Sequence, residues 1–150
     1  MVSFAKKVKI YVDRDGHMPF KAHRNDAGYD LFLPDHLKDH ITPNGLGIMN
    51  IDTCISILFP KGYYGRVIGR SSSFLKGITV HEGTIDNGYT GHIHILCTMN
   101  DYLKDTLSPL DRIAQIVFCE YPNVLIEETK NPFIRLRDTR GAKGFRSSGS

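Results

Sequence analysis

This chain is organised around the stretch Gly83-Thr84-Ile85-Asp86-Asn87-Gly88-Tyr89-Thr90-Gly91, which the alternating run His92-Ile93-His94-Ile95-Leu96 follows. Asn-Gly between apolar, alternating flanks is typical of a β-hairpin with a type I′ turn, because both residues tolerate a positive φ. We therefore expect Asp86 at the mouth of a hairpin and Tyr89 across its turn. A carboxylate and an aromatic ring on such a scaffold can hold a general base against a ring-shaped substrate, but a solvated turn with an edge tyrosine fits the same residues.

The composition is that of an ordinary globular domain. With 150 residues, 41% of them hydrophobic and 23% charged, the chain suffices for one domain that buries roughly two-thirds of its unfolded surface. It has no apolar run of membrane-spanning length and no signal-peptide pattern, so we expect no membrane association and an intracellular location, cytoplasmic or nuclear. Cys54, Cys97 and Cys119 are odd in number and scattered, which favours reduced, buried thiols over a disulfide framework or a zinc cluster.

Short alternating segments predict an all-β fold. Turn signals recur about every ten residues, as in a β-sandwich or jelly roll. Strands are expected at residues 8–12, 27–32, 48–59 (two strands), 64–70, 78–80, 84–86, 92–99, 112–119 and 124–127. The strand at 112–119 is apolar enough to be buried on both faces. One helical turn is expected at residues 74–76, capped by three serines, and turns at 43–45 and 100–101.

Two further features leave alternatives open. Residues 130–150 hold six basic side chains against one acidic, which suits a solvated tail, a nucleic-acid-binding arm or a phosphate clamp. His92 and His94 lie on one side of their strand, a spacing that can bind zinc or copper, but no cysteine or carboxylate nearby in the sequence completes a ligand set. We interpret the two histidines as surface or interface residues.

Five motifs, in order, resemble those of the trimeric dUTP pyrophosphatase (dUTPase) family over residues 27–149. They are Ala27-Gly28-Tyr29-Asp30-Leu31, Gly69-Arg70-Ser71-Ser72, the stretch from Gly83 to Gly91, Asp111-Arg112-Ile113-Ala114-Gln115, and the glycine-rich tail from Arg140 to Gly149. The resemblance implies a jelly-roll domain at residues 1–138 and a mobile C-terminal lid at residues 139–150. It also implies a homotrimer with sites shared between subunits, and Mg²⁺-assisted hydrolysis of dUTP to dUMP and pyrophosphate.

The resemblance also assigns roles to individual residues. Asp86 is expected to be the catalytic base, and Tyr89 to pack on the deoxyribose and exclude a 2′-hydroxyl. The backbone from Gly83 to Tyr89, Ile85 included, is expected to read the uracil edge, and Phe145 to stack on uracil. Asp30 either lies near the water shell of the metal or is structural. The remaining substrate-binding residues, expected around the phosphates, are Arg70, Ser71, Ser72, Gln115, Arg140, Ser147 and Ser148. Arg and Ser donors, backbone N–H groups and a metal suit the negative charge of a triphosphate.

The chain departs from the family pattern at several positions. Arg146 and Leu110 stand where glycine is usual, and Thr79, His81 and Glu82 differ from the usual residues near the third motif. These differences indicate a divergent member, viral or phage-like.

Other functions compete with dUTP hydrolysis. The dCTP deaminases share the fold but carry a catalytic glutamate about where this chain has Leu96, so we reject deamination. A dUTPase-derived nucleotide-binding or signalling protein with weakened catalysis remains the alternative. Direct nucleic-acid binding is not expected, because the tail's glycines and Phe145 fit a small phosphate ligand better than a charged arm.

Overall fold

The computed structural model describes residues 4–130. In that part of the chain, ten antiparallel strands alternate with turns and three short helical segments. The strands are β1 Lys9–Val12, β2 Gly28–Leu31, β3 Ile41–Asn44, β4 Ile48–Asp52, β5 Ile55–Leu58, β6 Tyr63–Gly69, β7 Thr79–His81, β8 Gly83–Ile85, β9 His94–Thr98 and β10 Ala114–Glu120. The helical segments are a 3₁₀ helix, Leu37–His40, and the helices α1 Ser71–Leu75 and α2 Asp101–Lys104.

Two four-stranded sheets share one hydrophobic core. Their strand orders are β2-β10-β6-β8 and β3-β4-β9-β7, and β1 pairs with β5 beside them. Ile51 of β4, Ile95 of β9 and Ile116 of β10 are completely buried, so both sheets contribute to the same core. The predicted all-β, jelly-roll-like fold is confirmed.

The alternation along β9 explains which face turns inward. Ile93, Ile95 and Cys97 are buried, whereas His94 and Leu96 are exposed. Successive side chains of a strand point to opposite faces of the sheet, so the apolar members of an alternating run share the core. The sequence pattern predicted this division correctly.

The predicted hairpin at Asn87-Gly88 is wrong, although a turn does form there. The backbone N–H of Tyr89 donates to the carbonyl of Asp86 at 3.1 Å, and Gly88 has a φ of +94°, while Asn87 is not among the residues with positive φ. A positive φ at the third turn residue alone is typical of a type II turn, not type I′. The Asn87 side chain donates to the carbonyls of Pro60 and Tyr63 at 3.0 and 2.9 Å. The turn thus carries the chain from β8, paired with β6, to β9 in the other sheet.

Several other local predictions are corrected by the structure. Residues 124–127 form no strand and stay exposed, with Leu125 93% accessible. Pro43 lies in β3 rather than in a turn, which is possible because β3 is an edge strand and needs fewer N–H donors. Helix α1 begins at Ser71, before the predicted residues 74–76, and α2 occupies the predicted turn at 100–101. Strand β10 is fully buried on one face only, that of Ala114 and Ile116.

The three cysteines are free thiols, and the predicted burial is confirmed for Cys54 and Cys97 but not for Cys119. Cys54 and Cys97 are buried and Cys119 is half-buried. Burial raises the pKa of the Cys97 thiol to about 11. Among the described residues, no helix has the length and apolar character needed to cross a membrane.

Candidate active site

Three of the motifs meet in an ionic group formed by Asp30, Arg70 and Arg112. Strand β2 carries Asp30, Arg70 follows the end of β6, and Arg112 lies just before β10. The two oxygens of Asp30 accept from Arg70 Nε at 2.9 Å and from Arg112 Nη1 at 3.1 Å. Arg70 Nη1 also donates to the carbonyl of Arg112 at 2.7 Å. This nearly buried carboxylate therefore fixes the orientation of both guanidinium groups.

The two roles considered for Asp30 are not equally supported. Two guanidinium cations already neutralise the Asp30 carboxylate, and their positive charge disfavours a metal ion or its water shell beside it. The geometry supports the structural alternative, in which Asp30 positions Arg70. The role near the metal remains a prediction.

Arg112 is a functional candidate that the sequence reasoning placed in a motif but gave no role. Its guanidinium lies 5.6 Å from the ring centroid of Phe20 and 5.8 Å from that of Phe32. These cation–π contacts, together with Asp30, hold Arg112 in place. The signal available in the sequence was its position inside the fourth motif.

Gln115 lies beside Arg70 and depends on a glycine across the sheet. Its Nε2 donates to the carbonyl of Gly69 at 3.2 Å. Gln115 of β10 pairs with Asp30 of β2, and Gly28 lies two residues before Asp30 on the same strand. A Cβ added at Gly28 would lie only 2.1 Å from Gln115 Oε1. The glycine of the first motif therefore makes room for the glutamine of the fourth.

The serines after Arg70 open helix α1. Ser71 and Ser72 are exposed, whereas Ser73 is buried and its hydroxyl donates to the carbonyl of Ile113 at 2.8 Å. That hydrogen bond ties α1 to the segment before β10. It leaves Ser71 and Ser72 accessible near Arg70, as hydroxyl donors to a phosphate would need to be.

The third motif forms a different part of the surface. Asp86 is exposed and lines an open pocket of about 520 Å³ together with Tyr64, Thr84, Asn87 and Tyr121. Gly83 and Ile85 belong to β8 on the approach to Asp86. The rings of Tyr64 and Tyr121 are 6.3 Å apart. Sequence reasoning missed both tyrosines, because they are distant in sequence from each other and from Asp86.

Tyr89 is held beyond the turn by two contacts. Its hydroxyl donates to the carbonyl of His92 at 3.0 Å. A Cβ added at Gly91 would lie 2.4 Å from that hydroxyl oxygen, so only glycine allows the ring to lie where it does. Tyr89 remains 44% exposed.

A single chain does not bring the residues around Arg70 and those around Asp86 together. Asp86 follows β8 and lies alongside the Tyr64 end of β6, one step past the Gly65–Ile85 pair. Arg70 follows the opposite end of the same strand. Six residue steps along a strand at about 3.3 Å each separate the two ends by about 20 Å. Within one chain, Asp86 is therefore too far away to act on a phosphate held by Arg70 and Gln115.

The remaining predicted site residues, Arg140, Phe145, Ser147 and Ser148, lie outside the described residues, as does the proposed lid at residues 139–150.

Comparison with known proteins decides the family. The dUTPase family model matches residues 14–149. The chain belongs to the dUTPase family. This dUTPase-family chain is 34% identical over 148 residues to a deoxyuridine 5′-triphosphate nucleotidohydrolase of Yaba monkey tumor virus, covering 95% of this chain and 98% of the relative. It is also 34% identical over 147 residues to the Candida albicans protein of the same name, covering 96% and 89% of the two chains.

Solved structures confirm the fold of this family member. The dUTPase of Staphylococcus bacteriophage 80alpha, determined with dUpNHpp, aligns with a TM-score of 0.75 at 24% identity, over 97% of this chain and all of the phage chain. An aspartate-to-asparagine mutant of the phage phi11 dUTPase, described as coordinating a structural Mg(II) ion, aligns with a TM-score of 0.65 at 19% identity, over 83% and 97% of the two chains.

At one position that departs from the family pattern, a leucine adopts a backbone conformation that favours glycine. Leu110, where the family usually has glycine, adopts a φ of +69°. Its N–H donates to the carbonyl of Leu33 at 3.0 Å, which fixes the backbone in this conformation. A side chain in the left-handed region costs roughly 1–2 kcal/mol.

Proposed function

We propose that this chain hydrolyses dUTP to dUMP and pyrophosphate, an activity that limits uracil incorporation into DNA and supplies dUMP. The observation that carries the proposal is the family match over residues 14–149, which spans every motif that contributes to the two groups of side chains. The viral and fungal relatives are named for the same substrate.

The residues around Arg70 are proposed to bind the phosphates of the substrate. Arg70, Ser71, Ser72 and Gln115 offer a guanidinium, two accessible hydroxyls and an amide, the donors that a polyphosphate needs. Asp30 prepares Arg70 by fixing its orientation before substrate binds. Preorganised donors stabilise developing negative charge without having to rearrange during the reaction.

Asp86 is the proposed general base. It is an exposed carboxylate on the wall of the 520 Å³ pocket, where it can accept a proton from an attacking water. In-line attack at phosphorus depends chiefly on such positioning and on charge neutralisation. Tyr89 is proposed to pack on the deoxyribose, and the β8 backbone at Gly83 and Ile85 to read uracil. Arg140, Phe145, Ser147 and Ser148 complete the proposed site from the tail.

Mg²⁺ is the proposed cofactor. The donors around Arg70 are cationic or neutral and Asp30 is already paired, so these residues would not bind Mg²⁺ without substrate. They fit an ion carried mainly by the substrate phosphates and water, a common mode for Mg²⁺. When bound, the ion would neutralise phosphate charge.

We also propose a homotrimer in which each site combines residues of different subunits. The separation of about 20 Å along β6 supports this arrangement, because Asp86 of one chain needs an Arg70 group from another. Residues 124–126 add support, since Val124, Leu125 and Ile126 are exposed by 68%, 93% and 92%. Exposed contiguous apolar surface marks association sites. The free thiols support the proposed intracellular location, cytoplasmic or nuclear.

The test is pyrophosphate release from each deoxynucleoside triphosphate with Mg²⁺, by the parent protein, Asp86→Asn and the control Asp105→Asn. Asp105 is an exposed acid at the end of α2, away from the pocket. We expect dUTP-selective release, a kcat roughly 10²–10⁴ lower in Asp86→Asn, and no loss in Asp105→Asn. Light scattering should give about three times the 16.9 kDa chain mass. Equal turnover by Asp86→Asn and the parent would refute the assignment of the base.

A further inference from the structure

A second group of chemically reactive side chains lies apart from the residues assigned to nucleotide binding. The 3₁₀ helix ends at His40, β4 ends at Asp52, and Cys54 follows in the turn before β5. One ligand atom from each of these residues lies within 4.8 Å of the other two. His40 and Asp52 are half-buried and Cys54 is buried. We call these residues the His40–Asp52–Cys54 cluster.

The spacing of the donor atoms suits a single metal ion. Cys54 Sγ lies 3.3 Å from His40 Nδ1 and 3.8 Å from His40 Nε2, so the sulfur lies beside the imidazole ring. Sulfur and nitrogen bound to one tetrahedral zinc, at about 2.3 and 2.0–2.1 Å, lie roughly 3.5 Å apart. Asp52 Oδ1 accepts the backbone N–H of Cys54 at 2.7 Å, which keeps the carboxylate beside the thiol. An ion could be bound here once the imidazole turns the lone pair of Nδ1 toward the sulfur and the three ligand atoms, now within 4.8 Å of one another, close around it.

The residues around the cluster form the supporting contacts that metal ligands usually have. His40 Nε2 lies 3.1 Å from Asp15 Oδ2. With the imidazole proton on Nε2, Nδ1 is unprotonated and its lone pair is available to a metal ion. Asp52 Oδ2 lies 3.0 Å from His92 Nδ1, and His92 Nε2 lies 3.3 Å from Asp13 Oδ2. Carboxylate–histidine contacts of this kind orient ligands and raise their basicity.

Backbone strain is concentrated at the same place. Among the described residues, four that are not glycine have a positive φ, and three of these are Asp15, His36 and Cys54. His36 Nδ1 lies 3.1 Å from Asp15 Oδ1, so all three belong to the cluster or its support. Gly16 is tightly packed here as well, since a Cβ added to it would lie 2.5 Å from the Cys54 carbonyl oxygen. Strained backbone persists where surrounding structure enforces it, and it gathers at functional sites.

The charge of the surroundings favours a cation. The carboxylates of Asp13, Asp15 and Asp52 lie around the cluster, in contact with His92, His40 and the Cys54 backbone N–H. Their negative charge attracts a divalent ion, and a thiol that coordinates such an ion is deprotonated.

We propose that His40 Nδ1, the Asp52 carboxylate and Cys54 Sγ bind one divalent transition-metal ion, with Zn²⁺ favoured and a fourth position open to water. A thiolate and an imidazole select against Mg²⁺ and Ca²⁺, which prefer oxygen ligands. Three protein ligands and one open position are typical of zinc sites that exchange a ligand. The site is distinct from the residues proposed for Mg²⁺-dependent hydrolysis, and it does not depend on that function.

His92 and His94 also find their place in this arrangement. His92 supports Asp52, whereas the Nδ1 of His94 lies 2.7 Å from Asn50 Oδ1. The strand spacing of the two histidines is therefore not a ligand pair. The proposed ligands come from separate segments at positions 40, 52 and 54, so no short motif reveals them.

The test is titration of the nucleotide-free protein with Co²⁺, followed by displacement with Zn²⁺. We expect one equivalent of Co²⁺ to produce thiolate-to-cobalt charge-transfer absorption, which Zn²⁺ removes. Cys54→Ser should lose this absorption and Cys119→Ser, the matched cysteine control on β10, should keep it. Asp15→Asn should retain the band but weaken Zn²⁺ binding by about ten- to a hundredfold.

Two outcomes would overturn the proposal. One is the absence of thiolate-to-cobalt absorption in the parent protein, a measurement that does not require any variant to fold. The other is survival of the same absorption in folded Cys54→Ser, which would place the metal on a different thiol. Loss of dUTP hydrolysis is not a readout here, so failure of the proposed function and failure of the metal site are separate results.

Discussion

The close approach of Gln115 to Gly28 makes a quantitative prediction about the residues proposed to bind phosphate. In Gly28→Ala the new methyl group would lie 2.1 Å from Gln115 Oε1 and 2.9 Å from its Cδ. The strand backbones are fixed by pairing, so the Gln115 side chain must move. Moving it breaks the 3.2 Å hydrogen bond to the Gly69 carbonyl and takes the amide away from Arg70.

The cost can be worked from three contributions. Overpacking costs about 1–3 kcal/mol, and the low end, about 1 kcal/mol, applies here because the atoms that must move belong to the end of a flexible side chain. The lost hydrogen bond adds about 1 kcal/mol. Replacing glycine by alanine within a strand by itself stabilises the folded state by roughly 0.5–1 kcal/mol, because alanine loses less backbone entropy on folding. The net destabilisation is about 1 kcal/mol, which for a chain of this size lowers the Tm by about 2–4 °C.

The assay is a double-mutant cycle of thermal and denaturant unfolding at fixed protein concentration. In the Gln115→Ala background the added methyl group meets no glutamine side chain, so Gly28→Ala should stabilise the protein there by the roughly 0.5–1 kcal/mol that alanine gains over glycine. The coupling free energy should approach 2 kcal/mol, well above the roughly 0.5 kcal/mol scatter of independent sites. Gly45→Ala is the control, because a Cβ at Gly45 meets nothing within 4 Å. Simple additivity of Gly28→Ala and Gln115→Ala would refute the reasoning.

Two further predictions concern Leu110 and Asp30. Leu110→Gly should be more stable than Leu110→Ala by about 1 kcal/mol, because only glycine adopts the φ of +69° without strain; equal denaturation midpoints for the two variants would contradict this. Asp30→Asn leaves two partly exposed guanidinium groups without their carboxylate and should cost about 1–3 kcal/mol. The control Asp101→Asn, which removes an exposed pair with Lys104, should cost clearly less. If Asp30→Asn instead leaves stability intact and raises only the Mg²⁺ concentration needed for hydrolysis, the metal role of Asp30 is correct and the positioning role is wrong.

Sequence reasoning succeeded where the information is local. Alternation in residues 92–99 predicted the buried face of β9, because a strand's side chains have a strict two-residue period. Leu110 stands where glycine is usual, a departure from which no backbone conformation was predicted, and the structure shows a φ of +69° there.

It failed where the outcome depends on distant partners. Asn87-Gly88 specifies a turn but not the sheet that the next strand joins, and here the turn crosses between sheets. Residues 124–127 have a strand-like pattern but no pairing partner in the described part of the chain. The approach of Gly28 to Gln115 joins residues far apart in the sequence, so only the register of β2 against β10 reveals it.

The placement of Asp86 and Arg70 at opposite ends of β6 has a consequence for inheritance. Suppose that every site takes Asp86 from one chain and Arg70 from another. A mutation of Asp86 in one gene copy and a mutation of Arg70 in a second gene copy then affect different contributions to the site. Mixed assemblies then contain some intact pairings, so two inactive alleles complement each other. A chain that carries both mutations contributes neither residue, so it inactivates every site in which it takes part. With sites shared in this way, the separation of the two residues along one β-strand would decide whether two separate lesions can complement each other.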